Sequence, residues 1–560
     1  MDPHHGRPHR TILLTLAGCS AVLFGLAVWF SRAEGHWSVD SAVWELMARE
    51  VSRRGLDGLW VTNLAGPADP QGRFFPSFFF VRQGERYHFA FQPAFGLLSA
   101  LPYGLAGKLG LTALPILAAL GLAWVVASGA EQLKPGWGWA GAALLLLATP
   151  VPLYAATAWN HLPSVALLTA GAYTAWRTGL QGPLRPRGMF VAGACVGLGL
   201  LFRNEAYVYA VALVIAWLVA ARQARWRGAL WLLAGFAAGW TVQAALNLSL
   251  FGSAFGVKAE SVAARQASSA TDLGYRLWNL YLFLAAPDFS VFLLGGAERG
   301  LLMFVPVVVA AGVLALPHVE RRLPVAAVAL WAVAGVTIAV LAGRTQVTGL
   351  FWVAPFLVLA FLHRPRAPLW VMLWTLAVLF AVGVVWSASH GGFQWGPRYL
   401  LALYPLGVWL ALDAWVSAEG RVREALRVPA SVLVLLGVLA QAAGVDHADQ
   451  GQWRATQALR TVRATRTQYV VVGLEIFAWD FAPAYGERVL MSVDSQEELE
   501  AAVRALAAAG VPAFTYVPRS GLRFDRRVVE RVESGGRRYR VQADEAQGDL
   551  RLVEYRLVRP

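Results

Sequence analysis

Residues 11–55 read TILLTLAGCSAVLFGLAVWFSRAEGHWSVDSAVWELMAREVSRRG. The first twenty carry no charge, about the length a helix needs to cross a hydrocarbon core. Leu16-Ala17-Gly18-Cys19 resembles a lipoprotein cleavage box. The apolar run continues to Phe30, however, past the short core of a removed signal, so an uncleaved first helix is expected. Asp40 follows about ten residues beyond that span, where a chain leaving a bilayer reaches water. Val43, Trp44, Met47 and Val51 then recur at helical spacing, with Glu45, Arg49 and Glu50 on other faces. The pattern predicts a helix lying in the membrane interface, apolar side down, with Asp40 at its start.

The rest of the chain has the same character. Of 560 residues, 57% are hydrophobic and only 15% charged, too little polar surface to coat a soluble protein. A net charge of +14 would point to nucleic acid in a soluble chain. Here the arginines fall in short connections between apolar runs, where they set membrane orientation, and nucleic acid is excluded as a partner. Cys19 and Cys195 both lie inside apolar runs, so neither a disulfide framework nor a thiolate metal site is available.

About thirteen apolar runs are expected to span, at 11–30, 104–130, 137–153, 161–178, 188–202, 206–221, 228–250, 300–317, 324–342, 349–362, 367–387, 399–416 and 428–444. With the N-terminus inside, sixteen basic residues fall on one side, among them Arg7, Arg10, Lys134, Arg185, Arg225 and Arg423. The short opposite connections hold only Arg203, Arg344 and Arg398. That asymmetry predicts a cytoplasmic N-terminus and an extracytoplasmic C-terminus. Residues 1–444 are read as the transmembrane module, with long outer segments at 31–103 and 251–299. Residues 445–560 are read as a small extracytoplasmic α/β domain: strands at Tyr469–Leu474, Ala513–Val517, 537–542 and 549–558, and an amphipathic helix at Ser495–Ala509.

The unusual polar residues gather on the outer side, as expected of an enzyme working at one face rather than of a path through the bilayer. Asp40 reads as a general base for an acceptor hydroxyl, or as a helix N-cap. Gln92-Pro93 marks entry to the second run, and Glu85, Arg86 and His88 upstream read as a solvated loop or as cavity lining. Asn160 and His161 open a helix after Trp159; they read as ligands or as cap and interfacial anchor. Arg203 suits a phosphate, or pairs with Glu205. Glu298-Arg299-Gly300 forms a Gly-rich turn, and Lys258 adds a cation to the second long segment. The densest motif is HGGFQWGPRY, His390 to Tyr399. There Gln394 and Arg398 supply donors, and Trp395 and Tyr399 supply faces for sugars; the alternative is an aromatic-belt turn. The residues offer no Asp-x-Asp pair for a divalent ion.

In their order and common side these features resemble the C-type (GT-C) membrane glycosyltransferases, in particular bacterial relatives of protein O-mannosyltransferases and aminoarabinose transferases. The likeness runs over about residues 11–444, on Asp40, Gln92-Pro93, Trp159 and His161, the Arg203-Asn204-Glu205 turn, Glu298-Arg299-Gly300 and GGFQWGPRYLL. It implies a GT-C-like fold, a sugar donor on polyprenyl phosphate, inverting transfer on the outer face of the bacterial cytoplasmic membrane, and Asp40 as the catalytic acid or base. No cofactor is implied. Ser41 follows Asp40 where the mannosyltransferases carry a second acid, which counts against an obligatory metal. The acceptor, whether lipid, glycan or protein, is not named by the resemblance. A lipid-linked glycan flippase or transporter and a non-catalytic subunit of an envelope assembly are the other classes the sequence admits.

Overall fold

The computed structural model describes residues 7–221, 224–256, 273–286, 323–342, 346–362, 367–386, 394–418, 420–518, 531–534, 537–547 and 552–558. In chain order the helices are α1 (Arg7–Ser31), α2 (Val39–Arg54), α3 (Pro93–Leu111), α4 (Ala113–Leu133), α5 (Gly138–Leu147), α6 (Val151–Ala156), α7 (His161–Ala175), α8 (Pro186–Gly199), α9 (Glu205–Ala220), α10 (Arg225–Phe251) and α11 (Leu273–Leu284). They continue as α12 (Leu323–Ala342), α13 (Leu350–Val353), α14 (Pro368–Val385), α15 (Leu403–Ser417), α16 (Gly420–Ala464) and α17 (Gln496–Ala508). Strands β1 (Trp60–Val61), β2 (Phe80–Gln83) and β3 (Arg86–Phe89) precede α3. Strands β4 (Tyr469–Gly473), β5 (Val489–Val493), β6 (Ala513–Val517), β7 (Arg531–Ser534), β8 (Arg537–Gln547) and β9 (Leu552–Val558) lie in the tail. The chain divides into two compact units, Met1–Ala27 with Thr112–His447, and Val28–Leu111 with Ala448–Pro560.

This is a multi-pass helical membrane protein. Among the described residues six helices are long and apolar enough to cross a bilayer: Arg10–Ser31, Pro93–Leu111, Ala113–Leu133, Arg225–Phe251, Pro368–Val385 and Gly420–Ala464. That differs from the thirteen expected, for local reasons. Pro150 and Pro152 divide the 137–153 run into α5 and α6, of ten and six residues. The 349–362 run folds as α13 and a 3-10 turn over Pro355–Leu362. In the 104–130 run Pro93 opens α3, which leaves helical geometry at Ala106 and at Gly107, whose φ is +55°, and α4 starts as a separate helix at Ala113. The 300–317 run lies outside the described residues.

In the first unit, α8 and α10 pack backbone to backbone. Gly193 and Gly197 face Gly235 and Gly239, each pair spaced by one helical turn. A methyl on Gly193 would fall 2.0 Å from the Leu232 carbonyl oxygen, and one on Gly235 1.9 Å from that of Phe190. Lipid tails give helices no hydrophobic drive to associate, so close approach through small residues supplies the contact instead.

In the second unit, α2 is not an interfacial helix. Its apolar stripe is covered by protein: Val43, Trp44 and Met47 are at most 1% exposed. Trp44 stacks on Phe91 at 4.4 Å and meets Phe95 edge-on at 4.8 Å. An amphipathic stripe reports that one face is buried and not what buries it. Upstream of α3, β2 and β3 form a hairpin across Gly84, whose φ of +61° suits the turn. The Glu85–Arg86 stretch is therefore a hairpin turn, with His88 buried beyond it.

The tail folds as a six-stranded sheet of order β5-β4-β6-β9-β8-β7, with β4 parallel to β5 and β6 and the other pairs antiparallel. Leu499, Val503 and Leu506 of α17 pack on Val471, Met491 and Phe514 of the sheet. Ala65, Ala68 and Phe74 complete the same core, and the Phe74 carbonyl accepts from the Ser492 N–H at 2.8 Å. Asp69 fixes that stretch, accepting from the backbone N–H groups of Arg73 and Phe74 at 2.7 and 2.9 Å.

Candidate active site

The first unit brings together residues from three connections. Trp159, Asn160 and His161 lead into α7, Arg203 and Glu205 into α9, and Trp395, Arg398 and Tyr399 into α15. Tyr399 is their centre. The Arg203 guanidinium sits 5.4 Å from its ring centroid and that of Arg398 5.0 Å, so two cations share one aromatic face system. Arg398 also lies 5.2 Å over Trp159, and the His161 ring is 6.2 Å from Tyr399. Phe283 of α11 meets Tyr399 edge-on at 6.5 Å.

The competing readings resolve differently at each position. Arg203 does pair with Glu205: its Nε donates at 3.0 Å and Nη2 makes the second bond to the same carboxylate. Asn160 is the residue before α7, but its amide donates to the Phe202 carbonyl at 2.9 Å rather than capping the helix. Trp159 and His161 are buried in protein and are not interfacial anchors. Trp395, expected to offer a face to a sugar, is 2% exposed. Its carbonyl accepts from Tyr154 at 3.1 Å, and its ring lies 5.8 Å from His447. Gln394 is likewise buried. Lys258, Glu298, Arg299 and His390 lie outside the described residues.

Asp40 and Gln92 belong to the second unit. Ser38, not Asp40, is the N-cap of α2, because the backbone leaves the extended region there; Asp40 sits in the first turn, where a carboxylate meets the positive end of the helix. Both Asp40 and Gln92 are half-buried.

At the entry and second turn of α2 the second unit holds a cluster that sequence reading missed. His36 Nε2 makes a short hydrogen bond to Glu45 Oε2, and Tyr103 donates to Glu45 Oε1 at 3.0 Å. Lys108 donates to the Ala33 carbonyl at 2.8 Å and also to that of Gly35. Burial alone would raise the Glu45 carboxyl, but the His36 hydrogen bond and charge, Lys108 and Tyr103 outweigh it and hold the group down at about 2. Burial and Lys108 push His36 below its ordinary range, against the hydrogen bond and charge of Glu45, which raise it. Glu45, Tyr103 and Lys108 line a cavity of 320 Å³ with Glu34, Arg49, Arg463 and Glu487. Arg463 bridges Glu34 at 2.6 Å and Glu487 at 2.8 Å across its rim. His36, Tyr103 and Lys108 come from separated stretches with no common spacing, so no local pattern marks them. Among the described residues no three His, Cys, Asp or Glu side chains group closely enough to hold a metal ion.

No family model and no curated protein matches the sequence. Solved structures do. The aminoarabinose transferase ArnT of Cupriavidus metallidurans, bound to undecaprenyl phosphate, superposes with a TM-score of 0.52 at 13% identity, over 97% of each chain. The apo oligosaccharyltransferase of Archaeoglobus fulgidus gives 0.50 at 13% identity, over 91% of this chain and 70% of that one. Both are GT-C proteins, and at such identity the likeness is one of fold. The chain therefore has the fold of the C-type membrane glycosyltransferases.

Proposed function

We propose that this protein is a glycosyltransferase that moves a sugar from a polyprenyl-phosphate-linked donor to an acceptor on the extracytoplasmic face of the bacterial cytoplasmic membrane. The observation that carries the reading is the pair of guanidiniums, Arg203 and Arg398, converging on Tyr399. A phosphate leaving group gathers charge as its bond to the sugar breaks, and fixed cations in a dehydrated site stabilise that charge most. Planar guanidiniums match phosphate oxygens two at a time. Lys258 is assigned to the same phosphate, and Gln92, Asn160, His161, Glu205, Glu298, Arg299, His390, Gln394, Trp395 and Tyr399 to the substrates, from the sequence.

In the step, an acceptor hydroxyl oxygen attacks the anomeric carbon as the carbon–oxygen bond to phosphate breaks. The electron pair leaves on polyprenyl phosphate, and the hydroxyl proton passes to the Asp40 carboxylate, with inversion. The base role of Asp40 rests on the sequence. The fold shared with ArnT, solved with undecaprenyl phosphate, supports the donor class.

Purified protein in nanodiscs, given undecaprenyl-phosphate-linked sugar and an envelope lipid extract, is expected to release undecaprenyl phosphate. Asp40→Asn is expected to lower that rate at least 10²-fold, within the range of general-base losses. Movement of the intact lipid-linked sugar across the bilayer without release would instead mark a transporter and overturn the proposal.

A further inference from the structure

The His36–Glu45 hydrogen bond closes a loop of chain around Asp40. Its two ends lie four residues before and five residues after the carboxylate, so the bond joins the entry of α2 to its second turn. Each end is held in turn from outside the loop. At the Glu45 end, Tyr103 of α3 occupies the second carboxylate oxygen at 3.0 Å.

At the His36 end the backbone is clamped from two helices. Lys108 of α3 takes the Ala33 and Gly35 carbonyls, and Gln452 of α16 takes those of Phe30 and Gly35, at 2.8 and 3.0 Å. The Gly35 N–H donates to Thr456 Oγ1 at 2.9 Å. Gly35 has no room for a side chain, since a methyl there would lie 2.5 Å from the Thr456 nitrogen. Buried charged bonds of this kind fix geometry strongly, because breaking one leaves a desolvated group behind.

We infer that Glu45 is a positioning residue for Asp40: with His36 and Tyr103 it fixes the first two turns of α2, and so the direction in which the Asp40 carboxylate points. This rests on the reading of Asp40 as the base. Glu45 itself does not exchange the proton. The groups facing it are His36 from the α2 entry, and Tyr103 and Lys108 from α3, with Arg49 one turn on along its own helix. A displacement of about 1 Å in a reacting group costs on the order of 10²-fold in rate, so loosening the loop acts on turnover rather than on substrate affinity.

The test measures kcat, KM and the pH profile of undecaprenyl phosphate release for Glu45→Gln and Tyr103→Phe, with thermal midpoints taken in the same nanodiscs. Tyr103→Phe, the milder change, removes one hydrogen bond and keeps the ring. It is expected to lower kcat about 3- to 10-fold, and Glu45→Gln about 10- to 100-fold, with KM within twofold in both. The acid limb of the kcat profile is expected to survive in Glu45→Gln, because the titrating base is elsewhere. Wild-type kcat in both folded variants, or a loss confined to KM, would overturn the inference while leaving Asp40 as base. Loss of the acid limb in Glu45→Gln would make Glu45 the base and overturn it differently. Full turnover in Asp40→Asn removes the reading beneath it.

Discussion

Two clusters of partly or wholly buried charge face different tasks. Around Tyr399 in the first unit, two guanidiniums share an aromatic ring and the Arg203–Glu205 carboxylate bond. Around Glu45 in the second, each cation is spent on protein: Lys108 on two carbonyls, Arg463 on Glu34 and Glu487, and Arg49 on the Pro483 and Tyr485 carbonyls. Aromatic faces hold a cation in place without neutralising it, whereas carboxylates and carbonyls, Glu205 on Arg203 included, take up its donors. On the function proposed above, the first arrangement receives an anion. The second is built to hold backbone still.

The largest effect expected from that contrast is on turnover. Arg203→Ala or Arg398→Ala should each lower kcat about 10²- to 10³-fold, as loss of one charge-stabilising donor does elsewhere, and Arg203→Ala should lower the thermal midpoint as well because it strands the Glu205 carboxylate. Arg398→Lys, which keeps the charge and loses the fork, should recover only part of the loss. Equal activity across all three would end the phosphate assignment and with it the contrast.

Next in size is Gly35→Ala. The added methyl meets the Thr456 backbone, so unfolding in denaturant should show a loss of about 1–3 kcal/mol, typical of overpacking. A neutral result would mean the clamp on the α2 entry is slack.

Acid should discriminate the clusters too. Glu45 is held far below its unfolded value near 4.5, so its contribution is complete above that pH and disappears as pH falls toward about 2. His36, also pushed down, must charge on unfolding, so its contribution starts to fall below the ordinary histidine range. Thermal midpoints should therefore drop on acidification, and Glu45→Gln should flatten the steepest part, between about 4.5 and 2. An unchanged slope in that variant would place the acid sensitivity elsewhere.

The smallest effect sharpens the second cluster from its rim. Arg463 pairs with Glu34 and Glu487 where all three side chains are partly exposed, so Arg463→Ala should cost no more than about 1 kcal/mol and little at high salt. A larger cost would show that the rim supports the buried Glu45 cluster.

The sequence by itself determined the membrane character and the GT-C-like fold class, and it singled out Trp159, His161, Arg203, Arg398 and Tyr399 as unusual polar and aromatic residues. Apolar runs and charged loops are local quantities, written in the chain whether or not it folds. Likewise β4 and β6 fall on short β-branched and aromatic runs, and α17 on a stretch with helical periodicity. Only the tertiary structure decided what covers the stripe of α2, that Trp395 is buried, and that β5, hidden along its whole length, is a strand. It alone joined His36, Glu45, Tyr103 and Lys108. Periodicity records that a face is hidden, and partnership between residues tens of positions apart depends on packing that no local window contains.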